Sequence, residues 1–263
     1  MTLVIVAAEV DISVGARVAL TSALMGVLYR DFGRRVAEII PVVMVVGTII
    51  GLRAGAARAK LRVPSIIVTL ALFLALRGTA EYITDAAPIA LPSPFLTDVL
   101  GGRVLDIPTP ALVFALMFVI MLIVTRRTVF GRQVYAIGSN PHAARLAGLP
   151  IDRIRILVFG ISGFLSAATG ILLTARIGSG TASIGNGLEF EVIAAVIIGG
   201  TRLSGGRGSI FGTLLGVLFV AVLGNALVLY GVNSYAQNIV RGLVVFIAVV
   251  ISNIQSGQIR QAD

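Results

Sequence analysis

The chain has 263 residues, of which 57% are hydrophobic and only 13% charged, about half the charged share of a soluble domain. It has no cysteine and one histidine, which excludes disulfides, thiolate metal sites and a histidine-built metal centre. The net charge of +9 would suit nucleic acid, but the Lys and Arg fall between apolar segments, the pattern of a polytopic membrane protein with basic loops inside.

Apolar segments are predicted at 1–8, 13–29, 36–52, 63–80, 109–124, 155–175, 188–201, 209–231 and 239–254. They give an all-α, polytopic transmembrane helix bundle with about eight full or partial spans, several of them shorter than the roughly 20 residues a bilayer needs. Short, Gly-broken segments survive in a membrane only where neighbouring helices or a cavity satisfy the freed backbone groups. Segment 1–8 is too short to span and runs straight into Glu9 and Asp11. It reads as the end of a helix whose beginning is missing, with a re-entrant stub as the alternative. Met1 opens an apolar run with no basic region before it, so no cleavable leader is expected. No linker divides the rest, and residues 1–263 read as one transmembrane domain.

The connecting segments set the orientation. Segment 53–62 carries Arg53, Arg58, Lys60 and Arg62 without an acid, a net +4. Segment 81–108 has Arg103 against Glu81, Asp85, Asp98 and Asp106, a net −3. Segment 125–155 carries Arg126, Arg127, Arg132, Arg145, Arg153 and Arg155 against Asp152, a net +5. The alternation places 53–62 and 125–155 in the cytoplasm and 81–108 outside. Counting onward, 176–187 is expected outside, 202–208 inside, 232–238 outside and the tail 255–263 inside.

Within the basic island, Asn140-Pro141-His142-Ala143-Ala144-Arg145-Leu146-Ala147-Gly148 reads as a short helix with both ends marked. Ser139 or Asn140 can cap it, Pro141 fits its first turn, and Gly148 can end it in the left-handed conformation. A discrete helix on the cytoplasmic face of a membrane protein suits contact with a partner. His142 has no second ligand type nearby and reads as exposed polar surface.

Near the start, Asp11-Ile12-Ser13-Val14-Gly15 opens an apolar segment. Asp11 or Ser13 can cap it, and the alternative is a polar break beside a transport path. The run from Gly199 to Gly208 includes Gly199, Gly200, Gly205, Gly206 and Gly208. It fits neither GxxxxGK[ST] nor GxGxxG and follows no strand, so it reads as a tight cytoplasmic turn held inside by Arg202 and Arg207. Gly212 and Gly216 give a GxxxG spacing for helix contact. Arg17, Glu38 and Glu191 fall within or beside spans. Arg17 and Glu38 lie near segment ends, where snorkelling or interfacial placement is expected to suffice, and Glu189 and Glu191 suit a helix start. Asn225, Asn233, Gln237 and Asn238 lie near the outer ends of the last two spans, where they could contact a polar solute or a docking protein, although Asn and Gln in such a loop need no special role.

Four of these runs, in order, resemble the permease subunits of bacterial ribose/xylose/arabinose-class ABC importers. They are Asp11 to Gly15, Gly131-Arg132-Gln133-Val134-Tyr135-Ala136-Ile137-Gly138-Ser139-Asn140-Pro141 continuing to Gly148, Gly187 to Gly200, and Gly205-Gly206-Arg207-Gly208-Ser209 with Gly212-Thr213. The resemblance covers essentially the whole chain. It implies a sugar-transport permease of the bacterial inner (plasma) membrane with a ten-helix fold, from which the N-terminal helices would be missing here. It implies a coupling helix, Asn140 to Gly148, that fits an ATPase subunit, and a second permease subunit, identical or not. It implies a periplasmic sugar-binding protein, with Asp11, Ser13 and Glu191 as pathway-adjacent candidates. The chain would not be an enzyme and would hold no cofactor or metal, because ATP and Mg would sit on the partner ATPase. Arg17 departs from the small or polar residue usual at its position in the family. An ion-coupled secondary transporter, which would need Glu38 or Glu191, is the alternative. A membrane enzyme is disfavoured by the scarcity of catalytic side chains.

Overall fold

The computed structural model describes residues 1–255. Eleven α-helices are present among the described residues: α1 Thr2–Val6, α2 Val14–Phe32, α3 Val36–Lys60, α4 Ser65–Thr84, α5 Thr109–Arg127, α6 Val129–Ser139, α7 Pro141–Leu146, α8 Ile151–Ile177, α9 Leu188–Ile198, α10 Ile210–Leu229 and α11 Ser234–Gln255. Five of them, α3, α4, α5, α8 and α10, are long and apolar enough to cross a membrane. The all-α polytopic reading holds, and the only strands among the described residues are two-residue pairings. The inward tail expected at 255–263 lies, beyond Gln255, outside the described residues.

Several boundaries differ from the sequence reading, each for a local reason. Helix α3 runs on to Lys60, because Ala54, Ala56, Ala57 and Ala59 are strong helix formers. Arg53, Arg58 and Lys60 therefore ride on its last turns, where the helix dipole favours cations, and the link to α4 shortens to residues 61–64. Helix α8 starts at Ile151, and its Asp152 occupies the first turn, where an acid is favoured. Helix α11 starts at Ser234, ahead of the expected 239, since Asn233 Oδ1 caps it by accepting from Ala236 N–H at 2.7 Å. Segment 81–108 contains one turn of π-helix at Phe95–Leu100 and a hairpin pairing Arg103–Val104 with Ile107–Pro108.

The described chain forms two compact units. One comprises residues 11–121 and 152–187. In it, α3 packs on α8 backbone to backbone. A Cβ placed on Gly51 would lie 2.3 Å from the Phe159 carbonyl oxygen, and one on Gly55 would lie 2.7 Å from Ile156 Cα. One on Gly47 would lie 2.7 Å from Ala167 Cβ. Small residues every fourth position let helices in lipid approach this closely. Met25, Val36, Ile39, Val43, Leu91, Leu96, Ile171 and Ala175 form an apolar core at one end of this unit.

The stretch 176–187, expected as an outer loop, departs from that expectation. Ser179–Gly180 pairs antiparallel with Ile89–Ala90, and the segment then lies along α2. Thr181 N–H donates to Ser22 Oγ at 3.0 Å, and Ser22 Oγ also accepts from Thr174 Oγ1 at 2.8 Å. Gly180 sits on the backbone of Ser22 and Gly26, while Gly185 sits on Val18 and the Gly15 carbonyl.

The other unit comprises residues 1–10, 122–151 and the chain from Leu188 onward. Here α10 packs on α9 through Gly212, whose Cβ would meet Gly199 O at 2.1 Å, and Gly216, whose Cβ would meet Ala195 O at 1.9 Å. The expected GxxxG contact is thus made. In this unit α10 exposes Leu218, Phe219 and Val222, and in the first unit α5 exposes Phe114 and Leu116. Apolar faces of this kind need lipid or another apolar surface over them.

Candidate functional site

The basic island folds into two short helices, α6 and α7, of which the sequence reading identified only the second. Thr128 Oγ1 accepts from Gly131 N–H at 3.1 Å and donates to Val124 O at 2.6 Å, which turns the chain from α5 into α6. Gly131, Val134, Ile137 and Gly138 form the buried face of α6 at helical spacing. Asn140, the cap residue of α7, accepts on Oδ1 from the His142 and Ala143 N–H groups, both at 3.0 Å. Pro141 occupies the first position and Gly148 adopts φ +74° just past the end. Ser139, the other candidate cap, instead donates to Tyr135 O at 2.9 Å.

Among residues 140–148 only Ala144 is buried; Asn140, Pro141, His142, Ala143, Arg145, Leu146, Ala147 and Gly148 are exposed. Leu146 is 78% exposed, a large apolar side chain on a basic surface. Any partner therefore meets the His142, Ala143, Arg145 and Leu146 side, while Ala144 faces its own unit.

Helix α6 is fastened to the glycine-rich turn. Tyr135 Oη donates to Gly208 O at 2.8 Å, and Gly206 N–H donates to Val6 O at 2.9 Å. Burial pushes the Tyr135 hydroxyl above its ordinary pKa, so it stays protonated as a donor. The glycines are required by space as well as by conformation. A Cβ on Gly138 would lie 1.7 Å from Val6 O, and Gly205 and Gly206 hold φ of +83° and +73° against Ala8 and Ser139. Gly200 also has φ above zero, and a Cβ on Gly208 would meet Thr201 at 2.5 Å. Residues 199–208 therefore form a tight turn locked to the ends of α1 and α6.

The second constellation is a buried polar cluster at the start of α2. Asp11 is fully buried, accepts from Ser13 N–H (3.1 Å) and Ser13 Oγ (2.7 Å), and forms an ion pair with Arg17. Ser162 Oγ of α8 donates to Asp11 Oδ2 at 2.8 Å, and Ile12 N–H donates to Thr69 Oγ1 at 3.2 Å. Two expectations change here. Arg17 does not snorkel: it is 1% exposed, because Asp11 and Ser162 give it partners inside the protein. Ser13 sits at the cap position but makes no side-chain capping bond, since Asp11 takes its hydroxyl.

Glu191 pairs with Arg241 of α11 at 2.6 Å, and Glu38 is an exposed residue 3.6 Å from Arg34. Neither stands alone in the membrane. The sequence reading passed over Arg77 and Arg241, two arginines within predicted apolar segments, whose charge in such a setting was the available signal. Arg77 Nη1 donates to Ala182 O at 2.5 Å and to Ile184 O at 3.1 Å.

The model of the family described as "Branched-chain amino acid transport system / permease component" matches residues 1–249. The chain is 47% identical over 249 residues to the Probable ABC transporter permease protein YphD of Escherichia coli (strain K12), covering 95% of this chain and 75% of that protein. It is 38% identical over 259 residues to the Ribose import permease protein RbsC of the same organism, covering 96% and 80%. To the Xylose transport system permease protein XylH, also of Escherichia coli (strain K12), it is 32% identical over 310 residues, covering 95% and 79%. No solved structure matches the chain.

Proposed function

Because this chain belongs to the branched-chain amino acid transport system / permease component family and is the transmembrane permease subunit of an ABC importer, we propose that it carries a sugar or sugar-like solute. It is a multi-pass protein of the inner membrane and not an enzyme, and within the importer it works with an ATPase and a binding protein. The family's description names branched-chain amino acids, whereas relatives covered over three quarters or more of their length are named for ribose and xylose. The named relatives carry the sugar reading.

The observation that carries the coupling reading is the fastening of α6 and α7. A helix of six residues transmits force only if its base is rigid. Here the base is α6, joined to α7 through Asn140 and bonded by Tyr135 to the turn that also grips Val6. Displacement of the exposed His142, Ala143, Arg145 and Leu146 surface would move α6, the end of α1 and the α9–α10 turn together. That surface is the contact for a separate ATPase subunit, which holds ATP and Mg. A second permease subunit completes the path, and a periplasmic sugar-binding protein delivers the solute.

Uptake into membrane vesicles containing the full importer, with its permease pair, ATPase and binding protein, tests this reading, with radiolabelled D-ribose, D-xylose and L-leucine supplied with and without ATP. ATP-dependent accumulation of a pentose is expected. Accumulation of leucine alone would overturn the sugar assignment, and pentose uptake that follows a proton gradient without ATP would overturn the coupling assignment.

A further inference from the structure

The segment Ser179–Asn186 runs along α2, from the turn of Gly26 to that of Gly15. The basic segment 53–62 is expected in the cytoplasm, which sets the end of α3 inside and Phe32 at the outer end of α2. Gly180 lies against Ser22 and Gly26, and Gly185 lies against Gly15 and Val18. From Phe32 to Val18 is fourteen residues of helix, about 21 Å at 1.5 Å per residue. With α2 crossing beside α3, Gly185 would lie well inside a hydrocarbon layer about 30 Å thick. Non-helical backbone at that depth persists only where it is buried in protein or lines a water-filled cavity.

The first condition is met on one side of this segment. Thr181, Ala182 and Ile184 are buried, and Arg77 holds their carbonyl side: Nη1 donates to Ala182 O and Ile184 O, and Nη2 lies 3.5 Å from Gly185 O. Ser183 and Asn186 are exposed. Ser183 Oγ shares one hydrogen bond with Thr181 Oγ1 at 3.0 Å and keeps capacity for another, so its exposed face and the exposed Asn186 amide are poorly matched to lipid at membrane depth.

We propose that Ser183 and Asn186 line the aqueous solute path and offer their hydroxyl and amide to a hydroxyl-rich solute, with Arg77 as the positioning residue that keeps the segment in place. The choice of solute rests on the sugar reading above. Ser and Asn each donate and accept without charge, which matches a neutral polyol and gives an amino acid's carboxylate and ammonium no counter-charge.

The absence of cysteine makes the test direct. Ser183→Cys, Asn186→Cys and, as the lipid-facing control, Leu218→Cys are placed singly in the full importer in membrane vesicles. Each is treated with a membrane-impermeant methanethiosulfonate. A thiol in apolar surroundings reacts slowly because its pKa is raised, so positions 183 and 186 should label about tenfold or more faster than position 218. Excess D-ribose or D-xylose, whichever uptake shows to be carried, should slow labelling at 183 or 186. Arg77→Gln should speed labelling of the buried Ala182→Cys, and Arg77→Lys should restore slow labelling.

Positions 183 and 186 as inert as 218 would overturn the path. Fast labelling that the carried sugar leaves unchanged would overturn the contact with solute. Labelling reads water access whatever the solute, so a failure of the sugar reading in the uptake experiment remains distinguishable from a failure of this one.

Discussion

Arg241 of α11 reaches Glu191 on the first turn of α9, with Nη1 2.6 Å from Oε1. Each is the counter-charge of the other, so Glu191 has a structural reason to be where it is. Glu191→Gln is expected to lower ATP-driven uptake by a few-fold at most, and the exchange Glu191→Arg with Arg241→Glu to recover part of the loss. Abolition of uptake by Glu191→Gln in a chain still present in the membrane would show that the carboxylate does more than pair.

Leu146→Asp should lower ATP-dependent uptake by about tenfold or more, the loss that accompanies about 1.4 kcal/mol of weakened contact. The chain should insert normally, because Leu146 is exposed. Ala144→Asp is expected to act differently: Ala144 is 5% exposed, and a carboxylate there disturbs the seat of α7 itself. Uptake and the amount of ATPase that co-purifies distinguish the two. Normal values of both for Leu146→Asp would remove α7 from the contact.

The fastening of α6 can be loosened in graded steps. Tyr135→Phe removes one bond, to Gly208 O, and should cost about 1 kcal/mol, seen as a small drop in melting temperature in detergent. Gly138→Ala should cost far more, because its Cβ would overlap the Val6 carbonyl. Gly148→Ala meets no atom within 4 Å and carries only the strain of φ +74°, about 1–2 kcal/mol. The order Gly138, then Gly148, then Tyr135 is the expected ranking of melting-temperature losses.

The Asp11–Arg17 pair is fully enclosed. Asp11→Leu or Arg17→Met alone strands a buried charge and should destabilise the chain by about 3–5 kcal/mol. Together they remove both charges, and the double variant should lie much closer to the parent. Thermal unfolding of the three variants checks this, and a double variant as unstable as the sum of its singles would show that the two charges act independently.

Legibility tracked how local each signal was. The capped helix at Asn140–Gly148 was readable because caps are set by neighbours in sequence, and α7 follows them nearly residue for residue. The basic and acidic segments set an expected crossing order because the rule concerns composition alone. Helix α6 was missed because Arg132, Gln133 and Tyr135 break a hydrophobicity count while leaving its buried stripe intact. The partners of Asp11 and Glu191 lie on other helices, and nothing near either residue names Ser162 or Arg241. The inward course of 179–186 was invisible for the same reason: it is set by Ser22, Gly26 and Arg77, each far away in sequence.

One legible signal went unused. Gly47, Gly51 and Gly55 repeat every fourth residue, as plainly as Gly212 and Gly216, and they seat α3 on Phe159, Gly163 and Ala167 of α8. Two helices whose main chains touch have no side chains between them to repack, so they cannot yield by small increments. They behave as one beam. Whatever rearrangement accompanies a transport cycle must be found in other parts of the unit, with this pair as the fixed member against which the rest is displaced.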